Sequence, residues 1–256
     1  MNVLLAIPTA GAPAEPFLAS LRELQLPASV TGFDRFSIAG NFIPGQRELA
    51  ARRATSTNAD VLVMLDDDMI VPRGAISALL DALAGDPQLA VAGALYYSRD
   101  GIHPMVASRW SSSDTTTAAI PPYDDGLTYC DAVGFGCVAI RVSALHSMPA
   151  PYFNTQVYVE ESAGRVRVCN EDYLFCETVR RAGWLVALHA GVRCKHYDRR
   201  TGIAYPREWE DPATTRVERM LVVDPGPQYR VVPYDPSLGV RPERHEAANI
   251  DYIIVA

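Results

Sequence analysis

Two runs of five apolar residues constrain the fold more than any other feature of this chain. Val3-Leu4-Leu5-Ala6-Ile7 and Val61-Leu62-Val63-Met64-Leu65 contain no polar residue to turn toward water. A strand with one wet face alternates apolar and polar residues. An unbroken apolar run suits a strand covered on both faces, the usual situation in a parallel sheet flanked by helices. The first run ends at Pro8-Thr9-Ala10-Gly11, the second at Asp66-Asp67-Asp68.

The segments between and after these runs read as helices and further strands. Phe17, Leu18, Leu21 and Leu24 recur at helical spacing, and Ser29 to Ile38 can hold a second strand. Gly45 to Thr57 reads as a helix opened by Pro44 and Gly45, with Leu49, Ala50 and Ala54 as its inner stripe, and Asn58-Ala59-Asp60 breaks it. Pro72 begins the next helix, in which Ile76, Leu79, Leu80 and Leu83 fall at i, i+3, i+4 and i+7. Gly85-Asp86-Pro87 stops it, and Leu89 to Tyr97 is the next strand. This alternation predicts an α/β doubly wound sheet. Ligands of such sheets bind at the carboxyl ends of the strands, where both Pro8-Thr9 and the aspartate triplet lie.

The second half is less regular. Ser111 to Thr117 and Pro121-Pro122 read as a loop, Cys137 to Val142 as a strand, Glu171 to Arg181 as a helix ended by Gly183, and Trp184 to Leu188 as a short strand. Beyond His196 the chain is rich in Pro, Arg and acidic residues, with short strand-like runs at Met220–Val223, Tyr229–Val232 and Ile250–Val255. The expected organisation is one α/β domain over residues 1–200 and an extension, 201–256, packed on it on the acceptor side. There is no internal repeat.

Composition excludes several function classes. The chain has 256 residues, is 48% apolar and 21% charged, and carries a net charge of −7, an ordinary globular balance. General electrostatic affinity for nucleic acid or anionic membrane is disfavoured by that charge. Lys195 is the only lysine, so 22 of the 23 cations are arginine, which follows from genomic composition unless the arginines cluster at a site. Five cysteines without a C-x-x-C fit neither a zinc ribbon nor a disulfide framework. Reduced, mostly buried thiols and the lack of any apolar stretch near 18 residues point to a cytoplasmic chain.

Asp66-Asp67-Asp68 is the strongest chemical signal. Adjacent carboxylates repel unless water or a cation screens them. Asp66 and Asp68 would project to one side of an extended chain and suit Mg²⁺ or Mn²⁺ completed by water and a diphosphate. A polar turn with a helix cap is the plain alternative. Glu171 and Asp172 open a helix, where the dipole favours acids, and either can also serve as a general base toward a hydroxyl. His196, in Cys194-Lys195-His196-Tyr197-Asp198, is a structural residue or a further metal ligand. Arg193, Lys195, Arg199 and Arg200 around it would bring positive charge to a diphosphate as a lid. Arg47, at the start of a helix, contacts the diphosphate or pairs with an acidic neighbour. Gly134-Phe135-Gly136 lacks the spacing of a phosphate loop, and its glycines serve a close backbone approach or a sharp bend. His103, His146, His189 and His245 are read as structural.

In this order the motifs resemble the GT-A fold nucleotide-sugar glycosyltransferases, closest to the family 2 type, over residues 3–198. The residues that carry the resemblance are Pro8-Thr9, Arg47-Glu48, Ala59 to Asp68, Val133 to Arg141, Asn170-Glu171-Asp172-Tyr173-Leu174-Phe175-Cys176, Arg181-Ala182-Gly183-Trp184 and Lys195-His196. The resemblance implies a Rossmann-like, mostly parallel sheet. It implies Mn²⁺ or Mg²⁺ bound by Asp66, Asp68 and His196, and a nucleoside-diphosphate sugar, such as a UDP-sugar, contacted by Pro8, Thr9, Arg47, Asp66 and Asp67. Asp172, or Glu171, then maps onto the base of inverting members. The implied activity moves a sugar to an acceptor hydroxyl on a glycan, a lipid-linked sugar, a small molecule or, less readily, a modified nucleic acid.

Retaining members share the fold and the D-x-D motif. The Q-x-x-R-W motif of processive synthases is absent, which disfavours polymer synthesis. A sugar-phosphate nucleotidyltransferase is the first alternative, although Pro8 to Pro13 lacks the cation such enzymes carry after the first strand. A non-enzymatic sugar- or nucleotide-binding module is the second.

Overall fold

The two apolar pentads are adjacent strands whose alternate residues fill two different cores. In the computed structural model, which describes residues 1–99, 101, 103–112, 123–160 and 165–209 (backbone alone for 158–160 and 165–167), Leu4 and Ala6 face one side of the sheet with Leu62 and Met64. Val3, Leu5 and Ile7 face the other side with Val61, Val63 and Leu65. Each of these side chains is buried. Burying one Val, Leu or Ile is worth about 1.5–3 kcal/mol, so both faces hold the strands in place.

The elements run β1 (Asn2–Thr9), α1 (Glu15–Glu23), β2 (Gly32–Ala39), α2 (Ile43–Thr55), β3 (Val61–Leu65), β4 (Met69–Ile70), α3 (Ala75–Gly85), β5 (Leu89–Leu95), β6 (Val106–Ala107), β7 (Leu127–Cys130) and β8 (Ala132–Val133). They continue with β9 (Cys137–Arg141), α4 (Val142–His146), β10 (Gln156–Glu160), β11 (Arg165–Cys169), α5 (Glu171–Arg181), β12 (Leu185–Arg193), β13 (Lys195–Asp198) and β14 (Ile203–Tyr205). The main sheet has the order β2-β1-β3-β9-β5-β12-β7. β2, β1, β3, β5 and β12 run one way; β9 and β7 run against them. The sheet is therefore mostly parallel. Phe17 of α1 and Ile76, Leu79, Leu80 and Leu83 of α3 cover one face, and Ala50, Ala51 and Ala54 of α2 with Phe175 and Val179 of α5 cover the other.

Several expectations shift in detail. β9 inserts antiparallel between β3 and β5, because residues 134–136 turn the chain over at the carboxyl edge before it re-enters the sheet. Gly134 makes that turn possible, since a Cβ there would lie 2.2 Å from the Tyr96 hydroxyl. Leu49 is 57% exposed. The inner face of α2 instead combines Gln46, Arg47, Ala50, Ala51 and Ala54, so two polar side chains point inward where an apolar stripe was expected. Pro72 precedes α3 by a turn, and its carbonyl accepts from Ala75 N–H at 3.0 Å.

β13 pairs with β4 and β14 in a small three-stranded sheet across the carboxyl edge. That hairpin runs through residue 200. The expected strands at 220–223, 229–232 and 250–255, most of the proposed 201–256 extension, and most of the Ser/Thr-rich loop with Pro121-Pro122 lie outside the described residues. All five cysteines are free, four of them buried. Among the described residues no helix is long and apolar enough to cross a membrane.

Candidate active site

The carboxyl edge of the sheet collects the acidic triplet, the Glu171-Asp172 pair, Arg47 and His196. β3 ends at Leu65, and the triplet is a turn rather than extended chain: Met69 N–H donates to the Asp66 carbonyl at 3.1 Å. Strand alternation therefore does not set the directions of the three carboxylates. Each is aimed by its own partner instead.

Asp66 accepts from Arg47 Nη2 with both oxygens, at 3.2 and 2.9 Å. Asp67 turns inward. Its Oδ2 accepts from the Thr9 hydroxyl at 2.5 Å, and its Oδ1 pairs with Arg199 Nη2 at 2.6 Å. Arg199 also donates to the Ala12 carbonyl. Thr9, Asp67 and Arg199 thus tie the loop after β1 to the triplet, while Pro8 is buried in β1 opposite Ile38. Asp68 Oδ2 accepts from Arg99 Nη2 at 2.5 Å and lies 3.3 Å from His196 Nε2. Burial raises the Asp68 carboxyl, but the His196 hydrogen bond and the charges of His196 and Arg99 outweigh it and set its pKa at about 2.

His196 reaches this place because β13 pairs with β4, putting it opposite Met69 directly after the triplet. Tyr197 N–H donates to the Asp68 carbonyl at 2.8 Å and fixes the register. The segment is a paired strand, not a free lid. Of the four cations expected around it, only Arg199 reaches the triplet. Arg193 pairs with Asp125, Lys195 donates to the Arg207 carbonyl, and Arg200 N–H bonds Asp198.

Arg47 joins the two acidic motifs. One Nη holds Asp66 and the other holds Glu171, and its guanidinium lies 5.6 Å from the centre of the Phe135 ring. Only 5% of the Arg47 side chain is exposed. Among the described residues Asp172 has no such cation. Its carboxylate accepts from Tyr173 N–H at 2.8 Å. Burial, then the negative charge of Glu171, push its pKa up to about 7 against the pull of Arg47. Two neighbouring carboxylates therefore differ: Glu171 is paired with Arg47, and Asp172 is poised to gain or lose a proton near neutrality.

Sequence reasoning missed four residues here. Tyr96 spans the site. Its hydroxyl accepts from Gly136 N–H at 3.1 Å, its ring meets His196 edge-on at 5.8 Å, and burial followed by the charges of Asp172 and Asp66 raises its pKa. The Tyr97 carbonyl accepts from His196 Nδ1 at 3.2 Å. Arg99 holds Asp68. Gln46 Nε2 donates to the carbonyls of Thr9 at 2.8 Å and Ile38 at 2.5 Å, closing the ends of β1 and β2 together. The polar pair Gln46-Arg47 inside a helix otherwise packed by alanines is a signal that could have marked the site. The two tyrosines carried none.

These residues fit a hard divalent cation. Donation from His196 Nδ1 to the Tyr97 carbonyl leaves Nε2 facing Asp68, the orientation that carbonyl partners impose on metal-ligating histidines. Among the described residues these five carboxylates, Asp66, Asp67, Asp68, Glu171 and Asp172, gather around three guanidiniums, those of Arg47, Arg99 and Arg199, so carboxylates outnumber arginines at this edge. Asp66 is held by Arg47, and among the described residues no group of three His, Cys, Asp or Glu side chains converges on one point. The protein would thus present Asp68 and His196, and water or ligand oxygens would complete the coordination.

No family model matches the sequence, and no curated protein sequence matches it. Solved structures do match in shape. A197 from STIV aligns with a TM-score of 0.56 at 16% identity, over 82% of this chain and 96% of that one. GalNAc-T7, in a crystal with UDP, GalNAc and Mn²⁺, aligns with a TM-score of 0.54 at 12% identity. That match covers 82% of this chain and 46% of the GalNAc-T7 chain, less than half its length. Likeness at such identities is likeness of fold: this chain has the Rossmann-like GT-A architecture, a large, mostly parallel sheet flanked by helices.

Proposed function

We propose that this protein is a metal-dependent glycosyltransferase that moves a sugar from a nucleoside-diphosphate sugar to an acceptor hydroxyl with inversion. The observation that carries the reading is Asp172. It is a buried carboxylate at the carboxyl edge of a GT-A sheet, left without its own cation and held at a pKa of about 7. A structural carboxylate gains nothing from such a state, whereas a general base works best with a pKa near the working pH. The GalNAc-T7 crystal with UDP and Mn²⁺ supports the choice of ligand class.

In this reading Asp68 and His196 hold the cation, with Asp66 close by on Arg47. Once bound, the cation would neutralise charge on the leaving diphosphate. Thr9, locked by Asp67 and Arg199, shapes the nucleoside side of the site, and Gln46 fixes the ends of the strands beneath it. Arg47 holds Asp66 and Glu171 in place. Asp172 accepts the proton of the acceptor hydroxyl as that oxygen attacks the anomeric carbon. The Tyr96 hydroxyl, bound to Gly136 N–H, holds the Gly134–Gly136 turn against the site.

One observation favours a second reading, sugar-phosphate nucleotidyl transfer. The loop after β1 has no cation of its own, but Arg199 reaches into it through the Ala12 carbonyl and so supplies one. Product analysis separates the two. A panel of nucleoside-diphosphate sugars with Mn²⁺ should first identify a donor by thermal stabilisation. Turnover of that donor that releases free nucleoside diphosphate is the expected result. Release of pyrophosphate from a nucleoside triphosphate and a sugar phosphate would replace the proposal with the nucleotidyl reading.

A further inference from the structure

We propose that Arg99 is a displaceable counter-ion: it holds the Asp68 carboxylate in the free protein, yields that oxygen to an arriving divalent cation, and turns its guanidinium to the diphosphate that the cation accompanies. The inference rests on the reading that Asp68 and His196 hold a cation.

One carboxylate oxygen is shared by two partners. Asp68 Oδ2 takes Arg99 Nη2 at 2.5 Å and also faces His196 Nε2 at 3.3 Å. A cation held between Asp68 Oδ2 and His196 Nε2 would sit against the guanidinium, two positive charges on one carboxylate oxygen. One of them has to leave, and Arg99 is the one free to do so. Its side chain is 41% exposed, whereas Asp68 is 8% exposed. The arriving cation supplies the charge that Arg99 withdraws, so the buried Asp68 carboxylate is not left unpaired when the guanidinium leaves.

The contrast with Arg47 is instructive. Arg47 is buried and gripped by two carboxylates, so its guanidinium cannot move without leaving both unpaired. Among the described residues Arg99 pairs with one carboxylate, and its backbone is anchored. It sits in a turn whose ends are pinned by Ser98 N–H to the His103 carbonyl at 2.8 Å and Gly101 N–H to the Ser98 carbonyl at 2.9 Å. The base of the side chain is therefore fixed beside the site while its head is free to swing. Besides Asp68, the charges of Asp198 and Asp66 act on Arg99, so its alternative positions stay at the same rim. A diphosphate is the ligand that rewards the move: a guanidinium meets phosphate oxygens in bidentate geometry, and it enters together with the cation that displaces the arginine.

The test uses the full chain, Mn²⁺ and UDP. Mn²⁺ binding is followed by electron paramagnetic resonance in the wild type, Arg99→Gln and Arg99→Lys, and UDP binding by calorimetry at saturating Mn²⁺. Removal of the competing charge should make Arg99→Gln bind Mn²⁺ alone about threefold more tightly. Loss of a charge-assisted bond should weaken its UDP binding about tenfold. Arg99→Lys should fall between the two. A damaged fold weakens both ligands, so the opposite signs separate this mechanism from misfolding. Mn²⁺ binding no tighter in Arg99→Gln, or UDP binding unchanged, overturns the inference while the cation reading stands. No Mn²⁺ binding by either protein, with or without UDP, removes the cation reading and this inference with it.

Discussion

The two acidic motifs of this protein have the same chemistry and opposite fates. In the triplet every carboxylate has a guanidinium: Arg47 on Asp66, Arg199 on Asp67 and Arg99 on Asp68. In the pair at the start of α5, among the described residues, only Glu171 has one, and it is the same Arg47. Asp68, bonded to His196 and then to Arg99, titrates at about 2, and Asp172 at about 7. Burial acts on both, so burial alone does not explain the difference. The partners each carboxylate meets set the difference: His196 and Arg99 hold the Asp68 carboxyl down, whereas burial and the charge of Glu171 push Asp172 up, and burial raises Asp66 too despite Arg47.

The sharpest way to break this comparison is Asp172→Asn. It keeps the shape and removes the proton acceptor, and turnover should fall on the order of 10²–10⁴-fold with donor affinity retained. Wild-type turnover should rise with pH through about 7 as Asp172 loses its proton. Stability should move the other way. A folded pKa raised from 3.8 to about 7 gives stability that is full below about 4 and is lost as pH rises through 7. Asp172→Asn should remove that loss and melt higher than wild type at pH 8. A lower Tm there would show that the Asp172 charge is satisfied in the folded state.

Arg47→Met tests the shared cation. It strands Asp66 and Glu171 and should cost about 3–5 kcal/mol, the typical effect of breaking a buried pair from one side. Chemical denaturation with a matched m-value measures it, and a loss below about 1 kcal/mol would mean the two carboxylates find other partners. The triplet side is tested by His196→Gln, which should weaken Mn²⁺-dependent nucleotide binding about 10–100-fold, and by Tyr97, whose carbonyl should keep orienting His196 when the ring is truncated. Equal nucleotide affinity in His196→Gln and wild type would exclude His196 as a ligand. The smallest effect is expected on the outer face of α2, where Leu49→Gln should change stability by no more than about 0.5 kcal/mol. A loss of several times that would show that Leu49 is covered in solution.

Much of the fold was legible in the chain. The apolar pentads predicted buried strands because a residue run without polar members has only one use in a sheet. The helix of residues 171–181 was read to its ends, because acidic residues at its start and Gly183 after it, at φ 88°, are local signals. Leu49 was misplaced because helical periodicity locates a stripe but leaves its rotation to the neighbours. Here the close approach of α2 to the sheet, through Ala50, Ala51 and Ala54, turned Arg47 inward and Leu49 out. The site was legible as a set of residue types: Asp66, Asp67, Asp68, Glu171, Asp172, Arg47, Thr9 and His196 all lie at one edge of the sheet. Arg99, Tyr96 and Tyr97 were not legible, since their roles come from partners 31 to 99 residues away.

The sequence by itself determined the main alternation of strands and helices from β1 to β5, the two-sided burial of β1 and β3, and the acids that reach the carboxyl edge. Those properties follow from side-chain periodicity and from turns a few residues long. Only the tertiary structure decided that β9 runs against its neighbours, that His196 arrives through the β13–β4 pairing, and which carboxylate meets which arginine. Those are contacts between residues far apart in the chain, and a charge takes its pKa from what surrounds it in space. The sequence can place five carboxylates near one site, but it cannot state that Asp172 is the one left without a cation.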